Sequence, residues 1–440
     1  MPEPQANRST RVQGQSNMVA RWQWLLTQST KRLWFRASLF SVLGVVTALM
    51  AMVLKDYVPI TLSAKIGADA VDKILGIIAS SMLAVTTFSL STMVAAYSAA
   101  SSSVTPRATT LLMEDSTTQN ALATFIGSFL FSLVGIIALS TGAYGSQGRV
   151  VLFAVTLVVV MLIVWTLLRW IDHLSRLGRV GETIDRVEAA ALKAIRDRAE
   201  RPCLGGCAYP AERPAANAHV IGSRHIGYVQ HIDMQALQGL AGLHGVQIYL
   251  EVVPGGFVHE GTDVAQVVFE QPLPPDQAET LVKAILASLT IGLRRTFEHD
   301  PRFGVSVLSE IASRALSPAV NDPGTAIDVI TRGVRVFAAL GTPAAETQAS
   351  PPCTRVYLRC LQPGDYFDDF FSPIARDGAG LIEINLRLVK ALASLRQMRP
   401  DRFKALCDQH IELICARAEV AMTLAHDKQR LRECVARLAE

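Results

Sequence analysis

No charged residue occurs between Lys73 and Arg107. A crossing helix needs about 20 apolar residues to span a hydrocarbon core of ~30 Å. A single charge at its centre costs roughly 2.5–3.5 kcal/mol on insertion scales. A run this long and this clean therefore predicts a membrane helix from Ile74 to about Val104. Three others have the same character: Leu33 to Val58, Gln119 to Thr141 and Val150 to Leu168. Arg36 interrupts the first near its start, where a long side chain snorkels to the headgroups. The apolar excess lies between Leu33 and Trp170, although 50% of the whole chain is hydrophobic and only 18% charged. The expectation is a membrane all-α part with four transmembrane helices in residues 33–172, followed by a soluble α+β region. Residues 1–32 read as a polar tail without the apolar core of a secretory signal peptide. Trp22 and Trp24, beside Arg21, suit a membrane interface.

Basic residues near the span ends predict orientation. Arg8, Arg11, Arg21, Lys31, Arg32 and Arg36 precede or open the first span, Arg107 follows the second, and Arg169, Arg176, Arg179 and Arg186 follow the fourth. The opposite side has Lys55, Lys65, Lys73 and Arg149. Eleven against four puts both N- and C-termini in the cytoplasm. The 7 cysteines, odd in number and none before Cys203, argue against a disulfide framework and for a reducing compartment. A net charge of +4 with scattered arginines gives no footprint for nucleic acid.

The second span carries an unusual stripe. Ser80, Ala84, Thr87, Ser91, Ala95, Ser98, Ser102 and Thr105 fall on one face at helical spacing. The third span repeats the theme with Asn120, Thr124, Ser128, Ser132 and Gly135. Two readings stand. Small residues let helix backbones approach and hydroxyls bond across helices; alternatively, the stripe lines a polar pathway in an oligomer. The uncharged run would reach ~50 Å at 1.5 Å per residue, beyond the hydrocarbon core, as a pore-lining helix can. Apart from Asp56 at the end of the first, the spans contain no Asp, Glu or His of the kind that relays protons.

Beyond the spans, residues 173–218 read as an amphipathic helix, Leu174 to Ala199, and a Pro/Gly/Cys linker, Arg201 to Pro214. Residues 219–272 alternate short β runs with turns, and Val253-Pro254-Gly255-Gly256-Phe257-Val258-His259-Glu260-Gly261 has a turn–strand–turn plan. This segment resembles a barrel-sandwich hybrid of the biotinyl/lipoyl type. Such a module needs an acceptor lysine, and none occurs between Lys193 and Lys283, so no cofactor is expected. Residues 273–440 read as helical: Asp276 to Glu298, Val305 to Leu316, Leu381 to Leu395 and Asp401 to Ala439. Between them, Ser317-Pro318-Ala319-Val320-Asn321-Asp322-Pro323 marks a corner. Pro318 closes one helix, Asp322 caps the next and Pro323 takes its first position. An anion site at that helix start is the sharper alternative, opposed by Asp322 itself. Cys203, Cys207, His219, His225 and His231 lack the tighter spacing of a zinc site, so no metal is expected.

The runs Ser89-Leu90-Ser91-Thr92-Met93-Val94-Ala95-Ala96-Tyr97-Ser98, Thr105-Pro106-Arg107-Ala108-Thr109 and Gln119 to Gly127 resemble domain of unknown function 2254, a group of predicted bacterial membrane proteins. Gly227-Tyr228-Val229-Gln230 and the Ala315-to-Pro323 corner carry the same resemblance, which extends from the first span to about Arg396. It implies a bacterial inner-membrane location and no activity. Ala339 to Thr354 reads as a variable surface loop. No nucleophile elbow, phosphate-cradling loop or zinc motif is present, so an enzyme is not expected. The leading expectation is a homo-oligomeric channel or passive pathway for an ion or small solute, lined by the second span and embedded in the lipid bilayer. The alternative is a scaffold or sensor whose soluble region binds a partner.

Overall fold

A computed structural model describes residues 33–53, 68–113, 115–142, 145–210, 218–340 and 351–439. The chain divides into two units, Trp22–Thr183 and Ile184–Glu440. The first is helical: α1 (Leu33–Val53), α2 (Ala68–Ser103), the short α3 (Thr109–Met113), α4 (Ser116–Ser140) and α5 (Gly145–Arg176). Three stretches, Ala70–Ser101, Thr109–Ser140 and Gly148–Arg176, are long and apolar enough to cross a membrane. The first helix contributes a shorter apolar stretch, Ala37–Thr47. The expected four crossings therefore stand as three at full length among the described residues. Trp22, Trp24, Lys55, Lys65 and the expected end of the first span at Val58 lie outside those residues.

Helix α4 sits against α1, α2 and α5. Small residues make this possible. A side chain on Gly44 of α1 would meet the Gly127 carbonyl oxygen at 2.6 Å, and one on Gly127 would meet the Phe40 carbonyl oxygen at 2.9 Å. The two backbones thus touch directly, the usual means of close packing where no hydrophobic effect drives helices together. Above and below that contact, Leu75, Phe131 and Leu152 form one apolar cluster, and Met82, Phe125, Ile163 and Trp170 another. Two residues past the end of α5, Gly178 has a φ of +84°, and a Cβ there would lie 3.3 Å from that of Ala96, so the break suits glycine. The expected single helix from Leu174 to Ala199 is therefore two, separated by this break.

From Ile184, within α6 (Val180–Glu200), the chain forms an α/β unit. In order follow β1 (Gly206–Ala208), β2 (His219–Gly222), β3 (Gly227–Ile232), α7 (Met234–His244), β4 (Val246–Leu250), β5 (Phe257–Val258), β6 (Asp263–Phe269), α8 (Pro275–Ala287) and β7 (Leu289–Gly292). Then come α9 (Pro301–Ala315), α10 (Pro323–Leu340), β8 (Cys353–Leu358), α11 (Pro363–Asp377), α12 (Ile382–Met398), α13 (Pro400–Ala421) and α14 (Ala425–Ala439). Five strands make a mixed sheet ordered β1-β8-β4-β6-β2, and three make a second, β5-β3-β7. Strand β8 lies parallel to both β1 and β4.

This arrangement corrects several expectations. The β runs of residues 219–272 do not close on themselves as a barrel-sandwich module, because β4 pairs with β8 and β3 with β7, both from outside that interval. The linker after α6 is in part structural: Pro202–Gly205 forms a 3-10 turn and Gly206–Ala208 an edge strand. The helix expected to reach Glu298 stops at Ala287, and Leu289–Gly292 pairs with β3 instead. The end of the expected loop, Cys353 and Thr354, begins β8; residues 341–350 lie outside the described residues. The cysteine reading also changes. Cys203 and Cys360 form a disulfide with Cα atoms 5.1 Å apart. A separation of 157 residues hides such a pair from any spacing argument. The cysteine count therefore lends no support to a reducing compartment.

Two devices hold the helical part of this unit. The first is aromatic: Phe337, Phe367, Phe370, Phe371 and Phe403 are at most 1% exposed and stack edge to face or tilted. Phe370 lies over Gly333, where a Cβ would meet its ring at 2.3 Å. The second is ionic. Glu188 of α6 accepts from Arg335 Nε at 2.6 Å and Arg332 Nη1 at 3.0 Å, both on α10, and Asp185 and Asp328 also pair with Arg332.

Candidate functional site

Helix α2 has two opposed faces. Val71, Leu75, Ile78, Met82, Ser89, Met93 and Ala100 form the buried seam. Their steps of three, four and seven keep them on one side of a 3.6-residue helix. Ser80, Thr87, Ser91 and Ser98 lie on the opposite side and are exposed. Bulky apolar residues flank them, Ile77 and Phe88 on one side and Leu83, Leu90 and Val94 on the other. The small residues thus form a shallow channel between apolar ridges, turned away from the other helices of the same chain. The hydroxyls of Ser80 and Thr87 donate to the carbonyls of Gly76 (2.9 Å) and Leu83 (3.0 Å) one turn back.

The other residues of the expected stripe separate from it. Thr105 does not extend the face: α2 ends at Ser103, because the residue before Pro106 is disfavoured in helical conformation. Thr105 is instead 6% exposed, and its hydroxyl accepts from the Arg107 amide at 3.3 Å. The side chain of Ser102 lies outside the described residues. On α4, Asn120 is exposed while Thr124 and Ser128 are buried inside the bundle, and Thr124 donates to the Asn120 carbonyl at 2.8 Å. The two sets of hydroxyls, on α2 and α4, therefore do not meet within one chain.

A polar cluster absent from the sequence reading joins α4 to α5. Asp115 caps α4, its Oδ2 accepting from the Thr118 amide at 2.9 Å and the Thr118 hydroxyl at 2.6 Å. His173 Nε2 lies 2.8 Å from the same oxygen and 3.2 Å from the Thr118 hydroxyl. An open groove of about 490 Å³ adjoins it, lined by Thr117, Trp165, Arg169, Asp172, His173 and Arg176. Arg169 covers the Trp165 ring at 5.1 Å, a cation–π contact. An Asp-Ser-Thr-Thr cap before an apolar run was the available signal for Asp115. Nothing local paired it with a histidine 58 positions on.

In the α/β unit, the corner residues adopt a turn between α9 and α10. The Ser317 hydroxyl donates to the Arg314 carbonyl at 2.7 Å, and the Asp322 amide to the Ala315 carbonyl at 2.8 Å. Asn321 has φ +49°, a left-handed conformation that asparagine tolerates. Asp322 accepts from the Thr325 hydroxyl at 2.6 Å and amide at 3.0 Å. Those bonds hold its carboxyl below the usual range. Pro318 follows the end of α9 and Pro323 opens α10. The carboxylate fills the helix start where an anion would sit.

The Pro-Gly turn found by sequence has a packing reason. Gly255, at φ +91°, lies so close to the Asp300 carboxylate that a Cβ would meet Oδ2 at 2.1 Å. Asp300 caps α9 and receives Arg295 Nε at 2.6 Å. Cys203, bonded to Cys360, and Cys207, whose thiol faces the Cys353 and Thr354 carbonyls, do not converge on the histidines.

Long apolar helices followed by a mixed α/β unit define a helical membrane protein with an appended domain. The chain belongs to the family described as predicted membrane protein (DUF2254), which it matches over residues 30–394. It is similar to uncharacterized proteins of Mycobacterium bovis and Mycobacterium tuberculosis strain H37Rv, each 28% identical over 240 residues, covering 52% of this chain and 45% of the relative. A protein of Mycobacterium tuberculosis strain CDC 1551 is 27% identical over the same length. The match thus spans less than half the length of these relatives. No solved structure matches the chain.

Proposed function

We propose that the protein is a multipass protein of the bacterial inner membrane that assembles with copies of itself through the exposed face of α2. In this reading the assembled faces line a passive path for an ion or small solute. The observation that carries it is the position of Ser80, Thr87, Ser91 and Ser98, opposite the buried seam and framed by apolar ridges. A hydroxyl row has little to gain against acyl chains. A path lined by it runs between copies, since the row faces away from its own bundle. With four crossings, the excess of Lys and Arg on one side supports a cytoplasmic location for both termini and the α/β unit. No chemical step is assigned to the protein, which we read as a non-enzyme.

A second reading has its own support. Ser80 and Thr87 satisfy their hydroxyls on their own helix, so they can face lipid, and the spans then anchor a scaffold or sensor. Purified protein in liposomes separates the two. The pathway reading expects ion or solute flux that Thr87→Leu and Ser91→Leu reduce, and cross-linking between copies through Ser91→Cys. Absent flux together with no inter-copy cross-link from position 91 favours the anchor.

A further inference from the structure

The exposed apolar face of α5 ends at a cation. Leu157, Met161, Val164, Trp165 and Leu168 are each at least 47% exposed, and the first charged residue after them is Arg169. Arg149 and Arg169 bracket an uncharged run of this helix. At 1.5 Å per residue they stand about 30 Å apart along its axis, which is the thickness of a hydrocarbon core. Arg169 therefore lies at head-group depth. It is exposed and lines the open groove of about 490 Å³ beside His173. Its guanidinium carbon is 5.1 Å from the centre of the Trp165 ring. Such a contact uses the flat face of the cation and leaves the N–H donors around its edge. Among the described residues no carboxylate or other acceptor takes them. The neighbouring groups are already matched: Arg176 donates to Asp172 at 3.2 Å, His173 lies 2.8 Å from Asp115, and Glu182 is likewise engaged. Among the described residues, that leaves Arg169 as the groove's cation without a counter-charge, stacked on a residue type that concentrates at the bilayer interface. Thr117 of α4 brings a hydroxyl to the same groove.

We propose that this groove holds the phosphate of a monoanionic phospholipid of the phosphatidylglycerol type, its oxygens on the Arg169 N–H donors and its acyl chains along the exposed apolar face of α5. Guanidinium and phosphate form charge-assisted hydrogen bonds, and stacking on Trp165 orients the cation before the lipid arrives. The depth of Arg169 favours a lipid over a soluble phosphate, and its unmatched charge favours a net anion over a zwitterion. The site stands whether or not α2 lines a path. Native mass spectrometry of the full chain in detergent tests it, with dioleoyl phosphatidylglycerol, dioleoyl phosphatidylcholine and glycerol 3-phosphate as probes. Phosphatidylglycerol is expected to give a first adduct about tenfold tighter than phosphatidylcholine, and glycerol 3-phosphate none over the same concentrations. Arg169→Gln is expected to remove that preference. Trp165→Leu, which keeps an apolar side chain in the bilayer, is expected to reduce it about threefold. Arg149→Gln, at the other edge of the same helix, should leave it unchanged. Equal binding of the two lipids would overturn the proposal, as would a preference that survives Arg169→Gln. So would equal losses from Arg149→Gln and Arg169→Gln, which would reduce the attraction to general basicity. Glycerol 3-phosphate binding as tightly as the lipid would also overturn it, by placing the ligand in solution. Should Arg169→Gln fail to fold, Trp165→Leu carries the same decision, an undiminished preference counting against the site.

Discussion

His299 shows how one residue's surroundings set a property its type does not. Its ring lies 4.7 Å from that of His231. Burial, and next the charge of His231, lower its pKa from 6.5 to about 4. His231 is lowered too, by burial first. Between those values the unfolded chain binds a proton that the folded ring refuses. Stability is therefore full above pH 6.5 and falls as the pH drops toward 4. Denaturant midpoints at neutral pH and near pH 5 should differ, and His299→Gln should reduce that difference; an unchanged slope would remove His299 from the account. The histidine was plain in the sequence, but its neighbour lies 68 positions away and only the fold brings the rings together. Asp322 is the opposite case. Asp-Pro-Gly-Thr is a self-contained capping signal, and its bonds go to Gly324 and Thr325, so the local sequence was enough.

Elements differ in legibility for the same reason. The α9–corner–α10 hairpin could be read because prolines and a cap act on their own neighbours. Strand β7 could not: Leu289-Thr290-Ile291-Gly292 continues the apolar pattern of α8, and it becomes a strand because β3 offers a partner. The fastening of α6 to α10 is likewise tertiary. Glu188 is 9% exposed in its side chain and takes two arginines, one of them, Arg332, 12% exposed. Removing the carboxylate leaves Arg332 with Asp185 and Asp328 but breaks the bonds from α10 to Glu188, so Glu188→Ala is expected to cost about 1.5–3 kcal/mol, measured by chemical denaturation of the full chain. A loss below about 0.5 kcal/mol would class the network with ordinary surface pairs. Among the membrane helices, length and hydropathy placed α2, α4 and α5, yet only the Gly44–Gly127 contact identifies α4 as the one its neighbours surround.

For the whole molecule, the Cys203–Cys360 bond ties the turn before β1 to the chain just past β8, across 157 residues. Closing so long a loop typically stabilises a domain by about 2–4 kcal/mol. Reduction, or Cys203→Ser, should lower stability by that amount, read as a shifted unfolding midpoint against the oxidised chain. The same bond tests the proposed orientation. Alkylation of thiols at the moment of cell lysis should find Cys203 and Cys360 reduced if the α/β unit faces the cytoplasm. Finding them oxidised would argue for the other side of the membrane. The amino-acid order alone determined that this chain crosses a bilayer, because transfer into hydrocarbon is a sum over neighbouring residues and needs no distant partner. It also determined where hydroxyls line one side of a helix, since that follows from the helical repeat. Whether that side faces the bundle or its surroundings, and which cysteines bond, were decided by contacts between segments far apart in the chain. Such contacts depend on which surfaces compete for burial, and no local pattern specifies the outcome of that competition.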